Sequence, residues 1–327
     1  MPAVPITILY HADCPDGFGA AYAAWRRFGD AAAYRPMHHG QPSEMGEIAG
    51  HAVYILDFSF PPEVLEAMAG LASSVTQIDH HASARRPWAG RLSKTTDGCE
   101  SHRHPALPLT VIFDLGKSGA RLAWEHFHPA EPLPLILRHV EDMDMWRFAI
   151  PETRAVGRAL RLLAFDFTAW HELIRSTPGP EAPRYRALVA EGEAIERFFQ
   201  TEVERLAHSR LVMPARLRGE PLDSLQALRH GLPTIVDEDY AWRAVAGLAI
   251  NASVLFASEV GNLLAERSGT FGLVWQLDAD GDVKASLRSK GDFDVAEIAT
   301  RYGGGGHPNA AGFRLPLARF ANEILGK

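Results

Sequence analysis

The pattern of apolar and polar positions predicts alternating strands and helices in the first third of the chain. The strand-like apolar runs, which polar or turn-forming residues bound, are residues 5–10, 32–36, 51–57 and 74–79. An alanine-rich helical segment at 17–28 and a proline-opened one at 61–69 separate these runs. Short apolar strands that alternate with helices predict a parallel sheet covered on both faces.

The rest of the chain is predicted to contain a helical region and a second, smaller α/β domain. Helical spacing dominates residues 113–163, 169–175 and 181–208. Strand-like runs return at 244–250, 271–277 and 283–288, with a hairpin turn at 278–281 and helices at 254–266 and 295–302. We therefore predict a parallel-sheet domain at 1–180, a helical connector at 181–225 and a smaller α/β domain at 226–327.

Residues 85–109 break the pattern and predict an irregular excursion, since three prolines interrupt them. Within this stretch Cys99, His102 and His104 allow two interpretations, a zinc site or a solvated loop. A fourth ligand is not evident and the spacing matches no standard zinc pattern, so we favour the loop.

Aspartate and histidine residues cluster at the ends of the predicted strands. The clusters are His11, Asp13 and Asp16 after the first strand, Asp57 at the end of the third, and Asp79, His80 and His81 at the end of the fourth. Because ligand sites of open parallel sheets lie outside the carboxyl ends of the strands, we expect these side chains to converge. Carboxylates and imidazoles gathered in this way suit two divalent cations with one bridging carboxylate, an arrangement typical of hydrolases.

Helix capping explains only part of this pattern. Asp16 can cap the helix that follows it, but capping needs one such side chain rather than three. A metal-binding histidine needs a partner for its second ring nitrogen, and Asp79 is placed to orient a neighbouring imidazole. Another acidic cluster follows the apolar run 135–140, where unpaired carboxylates would be costly. We expect a metal ligand from this cluster and prefer Asp142 over Asp144.

The glycine run 303–306 and the histidine that follows it form the second informative motif. Glycines let backbone amides approach a phosphate closely, and an imidazole can donate to a phosphate oxygen or assist a leaving group. A flexible linker is the alternative, but the run stands between a predicted helix and a predicted strand. On the preceding strand, alternation places Lys284, Ser286 and Arg288 on one face, and an arginine binds phosphate bidentately. The predicted substrate-binding residues are Arg288, Gly304, Gly305, Gly306 and His307.

Charge and composition narrow the function further. The formal net charge of −7 argues against a broad basic surface for duplex DNA, although bound metal ions can still attract a small anionic substrate. The two cysteines provide no disulfide framework, which fits a reducing compartment. The first residues do not resemble a signal peptide, and no apolar run reaches the roughly 18–20 residues of a membrane span. We therefore expect a cytoplasmic protein that binds no membrane.

Together these motifs resemble the DHH phosphoesterase family, named for the trio that stands here as Asp79, His80 and His81. The Gly-Gly-Gly-His run with Ala-Gly-Phe at 311–313 resembles the family's DHH-associated C-terminal substrate domain, and Ser118-Gly119 resembles a family segment near the site. The resemblance covers most of the chain. It implies that the parallel-sheet domain is catalytic, that the smaller α/β domain binds substrate and that the reaction is a manganese-dependent phosphohydrolysis.

The resemblance also implies the metal ligands. One ion would be held by His11, Asp13 and Asp57, and the second by Asp16, Asp57, His80 and Asp142. In this assignment Asp57 bridges the two ions, Asp79 and His81 lie beside them, and the catalytic residues are Asp57, His80 and His81. One departure stands out, because an extra residue separates Asp13 from Asp16 relative to the common family motif. Either Asp13 is displaced from its usual role or the turn bulges to restore it.

The expected reaction is hydrolysis of a phosphodiester or terminal phosphate bond in a small nucleotide or a short single-stranded oligonucleotide. The resemblance leaves nanoRNA, 3′-phosphoadenosine 5′-phosphate, dinucleotides and polyphosphate open as substrates, and it leaves a homodimer open. Two alternatives remain: an inorganic polyphosphatase or pyrophosphatase, and a catalytically silent nucleotide-binding regulator, for which the altered first motif is the argument.

Overall fold

The chain is described here by a computed structural model that covers residues 4–38, 48–95, 98–222, 233–236 and 241–326. It divides into two units, residues 1–197 and 198–327. None of the helices in these described ranges combines the length and the apolar character needed to cross a membrane.

Unit 1 is built on a seven-stranded sheet with the strand order β2-β1-β3-β4-β7-β6-β5. Its strands are β1 (Ile6–His11), β2 (Ala32–Met37), β3 (Ala52–Leu56), β4 (Ser74–Asp79), β5 (Ser93–Lys94), β6 (Glu100–Arg103) and β7 (Leu109–Phe113). Strands β1 to β4 and β7 pair in parallel, which confirms the predicted parallel sheet. Four of them, β1, β3, β4 and β7, coincide with apolar runs, as expected for interior strands, whereas β2 is an edge strand and is only partly buried.

The predicted irregular excursion at 85–109 is wrong in part, because β5 and β6 extend the sheet antiparallel to β7. The structure does not gather the three candidate zinc ligands of this stretch. The Cys99 thiol faces Asp114, whereas His102 and His104 direct Nδ1 toward backbone groups. Among the described residues these three side chains belong to no potential metal group, in agreement with the preference against zinc.

Helices cover both faces of the sheet in unit 1. They are α1 (Pro15–Phe28), α2 (Pro62–Leu71), α3 (Ala82–Arg85), α4 (Gly119–Phe127), α5 (Leu135–Asp144), α6 (Thr153–Leu160) and α7 (Phe167–Ser176), followed by α8 (Pro183–Ala207), with short 3₁₀ turns at Gly29–Ala31 and Arg86–Trp88. Consecutive residues of β1 point to opposite faces: Ile8 packs in a core with α1, α4 and α5, and Leu9 packs in a second core with α2.

Unit 2 contains a mixed sheet with the order β13-β14-β12-β11-β10-β8, and β9 pairs with β10. Its strands are β8 (Met213–Leu222), β9 (Thr234–Val236), β10 (Ala241–Asn251), β11 (Phe271–Leu277), β12 (Asp282–Ser289), β13 (Gly305–His307) and β14 (Ala310–Pro316). Its helices are α9 (Ala257–Ser268), α10 (Val295–Thr300) and α11 (Leu317–Arg319), with a 3₁₀ turn at Val254–Phe256 and a π turn at Phe320–Ile324. Strand β8 falls within the segment predicted as the connector.

The sheet of unit 2 also has two apolar faces. On β11, Leu273 belongs to a core that includes residues of α10, and its neighbour Val274 belongs to a core that includes residues of α9. The hairpin predicted at 278–281 is confirmed, since β11 and β12 pair antiparallel across it. Within the turn, Asp278 Oδ1 accepts hydrogen bonds from the amides of Asp280 and Asp282.

Candidate metal centre

The carboxyl ends of three neighbouring parallel strands bring the acidic and imidazole side chains together. In the sheet register Tyr10 of β1 lies opposite Leu56 of β3, and Leu56 lies opposite Ile78 of β4. The next residue on each strand is therefore at the same level, at one edge of the sheet. These next residues are His11, Asp57 and Asp79. The convergence follows from the topology of a parallel sheet.

The His80 imidazole lies at the middle of this cluster and is buried. Its Nε2 atom is 3.1 Å from Asp57 Oδ1, 3.6 Å from Asp16 Oδ2 and 3.6 Å from Asp144 Oδ2. Burial disfavours the charged ring, but the three carboxylates outweigh it and raise the pKa of His80 to about 10. Before a cation binds, this imidazolium is thus the positive charge that the three carboxylates surround.

Asp57 is buried and connects His80 with His11. Its Oδ2 atom is 3.3 Å from His11 Nδ1, and its buried Oδ1 atom faces His80 Nε2 at 3.1 Å. Burial opposes ionisation, yet the two imidazoles hold the pKa of Asp57 well below its usual range. The backbone of Asp57 is left-handed, with φ of 52°. Such a conformation is uncommon outside glycine and aims this side chain back over the sheet edge.

Asp16 approaches the same point from α1. Its carboxylate accepts hydrogen bonds from the amides of Gly119 (2.7 Å) and Ala120 (3.0 Å) at the start of α4. These two donors belong to the helix N-terminus, where a negative charge is favoured. Nevertheless, burial and the neighbouring carboxylates of Asp57 and Asp144 raise the pKa of Asp16 well above its usual value. For Asp16, repulsion by these two carboxylates is the largest influence on the pKa after burial.

Asp79 orients the residues that follow it. Its Oδ1 atom accepts from the His80 amide at 2.7 Å and lies 2.7 Å from His81 Nδ1, and its Oδ2 atom accepts from the Ser59 hydroxyl at 2.5 Å. Although burial opposes it, Asp79 raises the pKa of His81 to about 9. With Nδ1 engaged, Nε2 is the atom that His81 can offer to a metal ion. This is the orienting contact that the sequence predicted for a neighbouring histidine.

Three overlapping groups in the described part of the chain bring potential ligand atoms within 4.8 Å of one another. They are Asp57, Asp79, His80 and His81; His11, Cys14 and Asp57; and Asp16, His80 and Asp144. Asp57 and His80 each belong to two groups. The donors fit divalent cations on chemical grounds: the set is rich in carboxylate oxygen and imidazole nitrogen, and the neighbouring carboxylates of Asp57 and Asp144 disfavour a further negative charge on Asp16 unless a cation offsets it.

The extra residue in the first motif turns Asp13 away from the centre. Asp13 has a left-handed backbone with φ of 53°, its side chain is 86% exposed, and its Oδ2 atom lies 3.7 Å from His38 Nε2. It belongs to none of the three groups, so the structure does not bring this predicted ligand to the cluster. Cys14, which the sequence analysis did not propose, lies beside His11 and Asp57 instead. Its position inside the motif was the available signal.

The structure brings Asp144, rather than the preferred Asp142, to the cluster around His80. The Asp142 carboxylate accepts hydrogen bonds from the Thr153 hydroxyl (2.6 Å) and from the amides of Ala149 (2.9 Å) and Ile150 (3.0 Å). This carboxylate therefore stabilises the turn after α5 and does not reach the cluster around His80. Asp144 is the member of this cluster that reaches His80. Residues that are two positions apart on a helix differ in direction by roughly 200°, so only one of these two aspartates can face the site.

In unit 2, part of the glycine run is committed to backbone pairing. The Gly304 amide donates to the carbonyl of Ala299 at the end of α10, and the predicted role of Gly304 in phosphate binding stays a prediction. The residues after it form β13, which pairs with β14 and is the edge strand of the sheet. A Cβ on Gly306, whose φ is 144°, would lie 2.5 Å from the carbonyl oxygen of Ala310. Phosphate binding by Gly305, Gly306 and His307 stays a prediction.

Arg288 and His307 share one face of this sheet. Both lie opposite Ala310, Arg288 across the β12–β14 pair and His307 across the β13–β14 pair. Directly opposed residues in antiparallel strands project to the same side, and the two backbones are roughly 10 Å apart across two strand spacings. Arg288 is half-buried and donates to the Ser258 hydroxyl of α9 at 2.8 Å. Burial lowers the pKa of this guanidinium.

Comparison with known proteins supports the assignment of the C-terminal part. Residues 251–327 match the DHHA1 domain family. An uncharacterized protein of Acanthamoeba polyphaga mimivirus is 27% identical over 323 residues, and the match covers 93% of this chain and 66% of that protein. The chain thus spans about two thirds of the length of this curated relative.

Among solved structures, the pGpG-specific phosphodiesterase PggH from Vibrio cholerae aligns with a TM-score of 0.39 and 10% identity over 97% of this chain and 94% of that one. The likeness is too low to bear on the function of this chain. The DHHA1 match confirms the predicted resemblance to the DHH phosphoesterase family in its DHH-associated domain.

Proposed function

We propose that this protein is a metal-dependent phosphohydrolase that cleaves phosphodiester or terminal phosphate bonds in small nucleotides or short single-stranded oligonucleotides. The observation that carries the proposal is the convergence of three carboxylates on His80 Nε2, within 3.1–3.6 Å, in a chain that ends in a DHHA1 domain. Two of these carboxylates, those of Asp16 and Asp57, are buried, and buried carboxylates are costly unless cations pair with them.

The ligand set proposed here is revised from the one that the sequence implied. The residues that would hold the ions are His11, Asp16, Asp57, His80, His81 and Asp144, with Cys14 adjacent. Two ions are proposed because Asp57 and His80 each join two ligand groups. Mn²⁺ is the proposed metal, since oxygen-rich ligation with imidazoles suits it. Bound cations of this type supply Lewis acidity and a nucleophilic water at neutral pH.

The residues around the metal ligands have supporting tasks. Asp79 holds the His81 ring and the His80 backbone in place, so that the two imidazoles keep a fixed orientation. The amides of Gly119 and Ala120 hold the Asp16 carboxylate, which limits its rotation. Because these side chains are already held in position, binding a metal ion requires less reorganisation of its ligands.

Substrate phosphate is proposed to bind to Arg288 and His307, which share one face of the second sheet. The net charge of −7 favours a short substrate, because a long polymer usually requires an extended basic track. We also propose a cytoplasmic location, because the two cysteines provide no disulfide framework.

A substrate panel tests this proposal. The protein is depleted of metal, reloaded with Mn²⁺ and assayed on linear and cyclic dinucleotides, short oligoribonucleotides, 3′-phosphoadenosine 5′-phosphate, pyrophosphate and polyphosphate. We expect turnover of at least one nucleotide and none by Asp57→Ala. Turnover restricted to the inorganic substrates would instead indicate a polyphosphatase or pyrophosphatase. Nucleotide binding with no turnover of any substrate would indicate a silent regulator.

A further inference from the structure

An exposed aromatic pair follows α5 directly. The Trp146 side chain is 45% exposed, and its ring lies edge-to-face with that of Phe148, with centroids 4.8 Å apart. The guanidinium of Arg154 lies 3.8 Å from the centroid of Phe148 and 5.9 Å from that of Trp146. The three side chains form one surface, which we call the aromatic platform. Adjacent aromatic rings exposed together indicate a binding surface, which a single exposed apolar residue does not.

The backbone under the aromatic platform is strained and firmly held. Trp146 and Phe148 have left-handed backbones, with φ of 54° and 48°. Bulky residues rarely adopt this conformation, and it persists where the surrounding structure enforces it. Here Asp142 enforces it: its carbonyl accepts from the amides of Arg147 and Phe148, and its carboxylate accepts from the next two amides. These hydrogen bonds fix the backbone that carries both rings.

The aromatic platform adjoins the candidate metal centre in the same unit. Trp146 follows two residues after Asp144, whose Oδ2 atom is 3.6 Å from His80 Nε2. Two residues span at most about 7 Å. Among the described residues, the other two non-glycine residues with positive φ are Asp13 and Asp57, which belong to the first motif and to the centre. In the described ranges, the left-handed non-glycine residues therefore all belong to segments that also carry candidate ligands.

We propose that the aromatic platform binds a nucleobase of the substrate whose phosphate lies at the metal centre. An exposed indole face stacks on any base, and an adjacent guanidinium adds a cation for the base or its phosphate. Inorganic polyphosphate and pyrophosphate have no group that would use such a surface. The inference rests on the proposed function, and it selects the nucleotide substrates over the inorganic ones.

The test compares substrates with and without bases. Trp146→Ala and Trp146→Phe are assayed on a dinucleotide and on its abasic analogue, which keeps the same phosphodiester. We expect Trp146→Ala to lower kcat/KM about 10-fold or more on the dinucleotide but to leave the abasic analogue unchanged, with Trp146→Phe between wild type and alanine. Phe198→Ala, which removes a 67% exposed ring elsewhere, is the matched control. Circular dichroism and metal content establish that the variants fold and load.

A second readout does not depend on turnover. A nucleoside monophosphate should quench a fraction of the tryptophan fluorescence that is present in the wild type and missing in Trp146→Phe. Equal losses of kcat/KM on both substrates would show that the aromatic platform only supports the turn, and unchanged kinetics in both variants would overturn the inference. If the wild type hydrolyses neither substrate, the proposed function fails, while quenching specific to Trp146 still reports base binding.

Discussion

Gly119 packs directly against Asp57: a Cβ atom built on Gly119 would lie 2.5 Å from the Asp57 Cβ and 2.6 Å from its Oδ1. Real Cβ atoms do not come so close to other atoms, so this position admits a side chain only if Asp57 moves. Gly119 also donates its amide to Asp16. The first residue of α4 therefore holds one candidate ligand and leaves room for another, which gives a physical reason for the Ser118-Gly119 motif.

Gly119→Ala should displace Asp57 and lower kcat/KM by roughly 10²-fold or more, because a misplaced ligand of this kind is costly to catalysis. Manganese content by atomic emission should fall in the same variant. Gly70→Ala is the matched control, since a Cβ at Gly70 meets nothing within 4 Å. Wild-type kinetics in Gly119→Ala would show that Asp57 is not needed at this position.

Substitution of Asp142 should affect mainly stability, whereas substitution of Asp144 should affect mainly metal binding. Asp142→Ala removes the acceptor of three hydrogen bonds, one of them from the hydroxyl of the buried Thr153, so we expect a loss of about 3 kcal/mol in the free energy of unfolding, at roughly 1 kcal/mol for each bond. Asp144→Ala should leave this free energy nearly unchanged but weaken manganese binding. Denaturant unfolding and metal titration of both variants measure the two effects. The opposite outcome would return Asp142 to the ligand set.

Metal removal should destabilise the protein as well as stop turnover. Because the carboxylates around His80 repel one another, cation binding to the folded state should raise Tm, by an amount that grows with the metal concentration. Mn²⁺ should give the largest shift with activity, and Mg²⁺ and Co²⁺ should substitute weakly. Differential scanning fluorimetry of the chelated protein measures the shift. Asp57→Ala should lose it, whereas Asp13→Ala should keep it, since Asp13 is exposed.

Arg288→Ala and His307→Ala should leave metal content unchanged and lower kcat/KM by roughly 10²-fold or more, in line with the loss of a phosphate or transition-state contact. Lys284→Ala, on the same strand as Arg288 but exposed, is the matched control for removal of a positive charge. Steady-state kinetics on the substrate identified by the panel decide the matter. If both variants behave as wild type, unit 2 serves structure or assembly rather than phosphate binding.

The sequence by itself determined the parallel sheet and the position of the candidate metal centre at the carboxyl ends of its strands. Apolar runs alternate with helical patterns along the first third of the chain, and β1, β3 and β4 have the bounds that these patterns predict to within one or two residues. Once those strands are parallel neighbours, His11, Asp57 and Asp79 must meet at one edge. Local periodicity carries this information, because it depends only on which residues prefer burial.

Other features depended on the tertiary structure, because they are set by contacts between distant segments. Strands β5 and β6 form within residues 85–109 although prolines interrupt this stretch, because β6 pairs with β7 and β5 pairs with β6. An open sheet edge offers hydrogen bonds that a local sequence pattern does not reveal. The clearance between Gly119 and Asp57 is likewise a property of two segments brought together.

Side-chain direction was the other quantity that the sequence left open. Which of Asp142 and Asp144 reaches His80 depends on how α5 is rotated against the sheet, and the turn after the helix sets that rotation through its hydrogen bonds to Asp142. Asp13 faces outward because its backbone is left-handed, which a one-residue insertion does not by itself predict. The sequence determined which chemical groups gather at the sheet edge, whereas packing decided which of them point at one another.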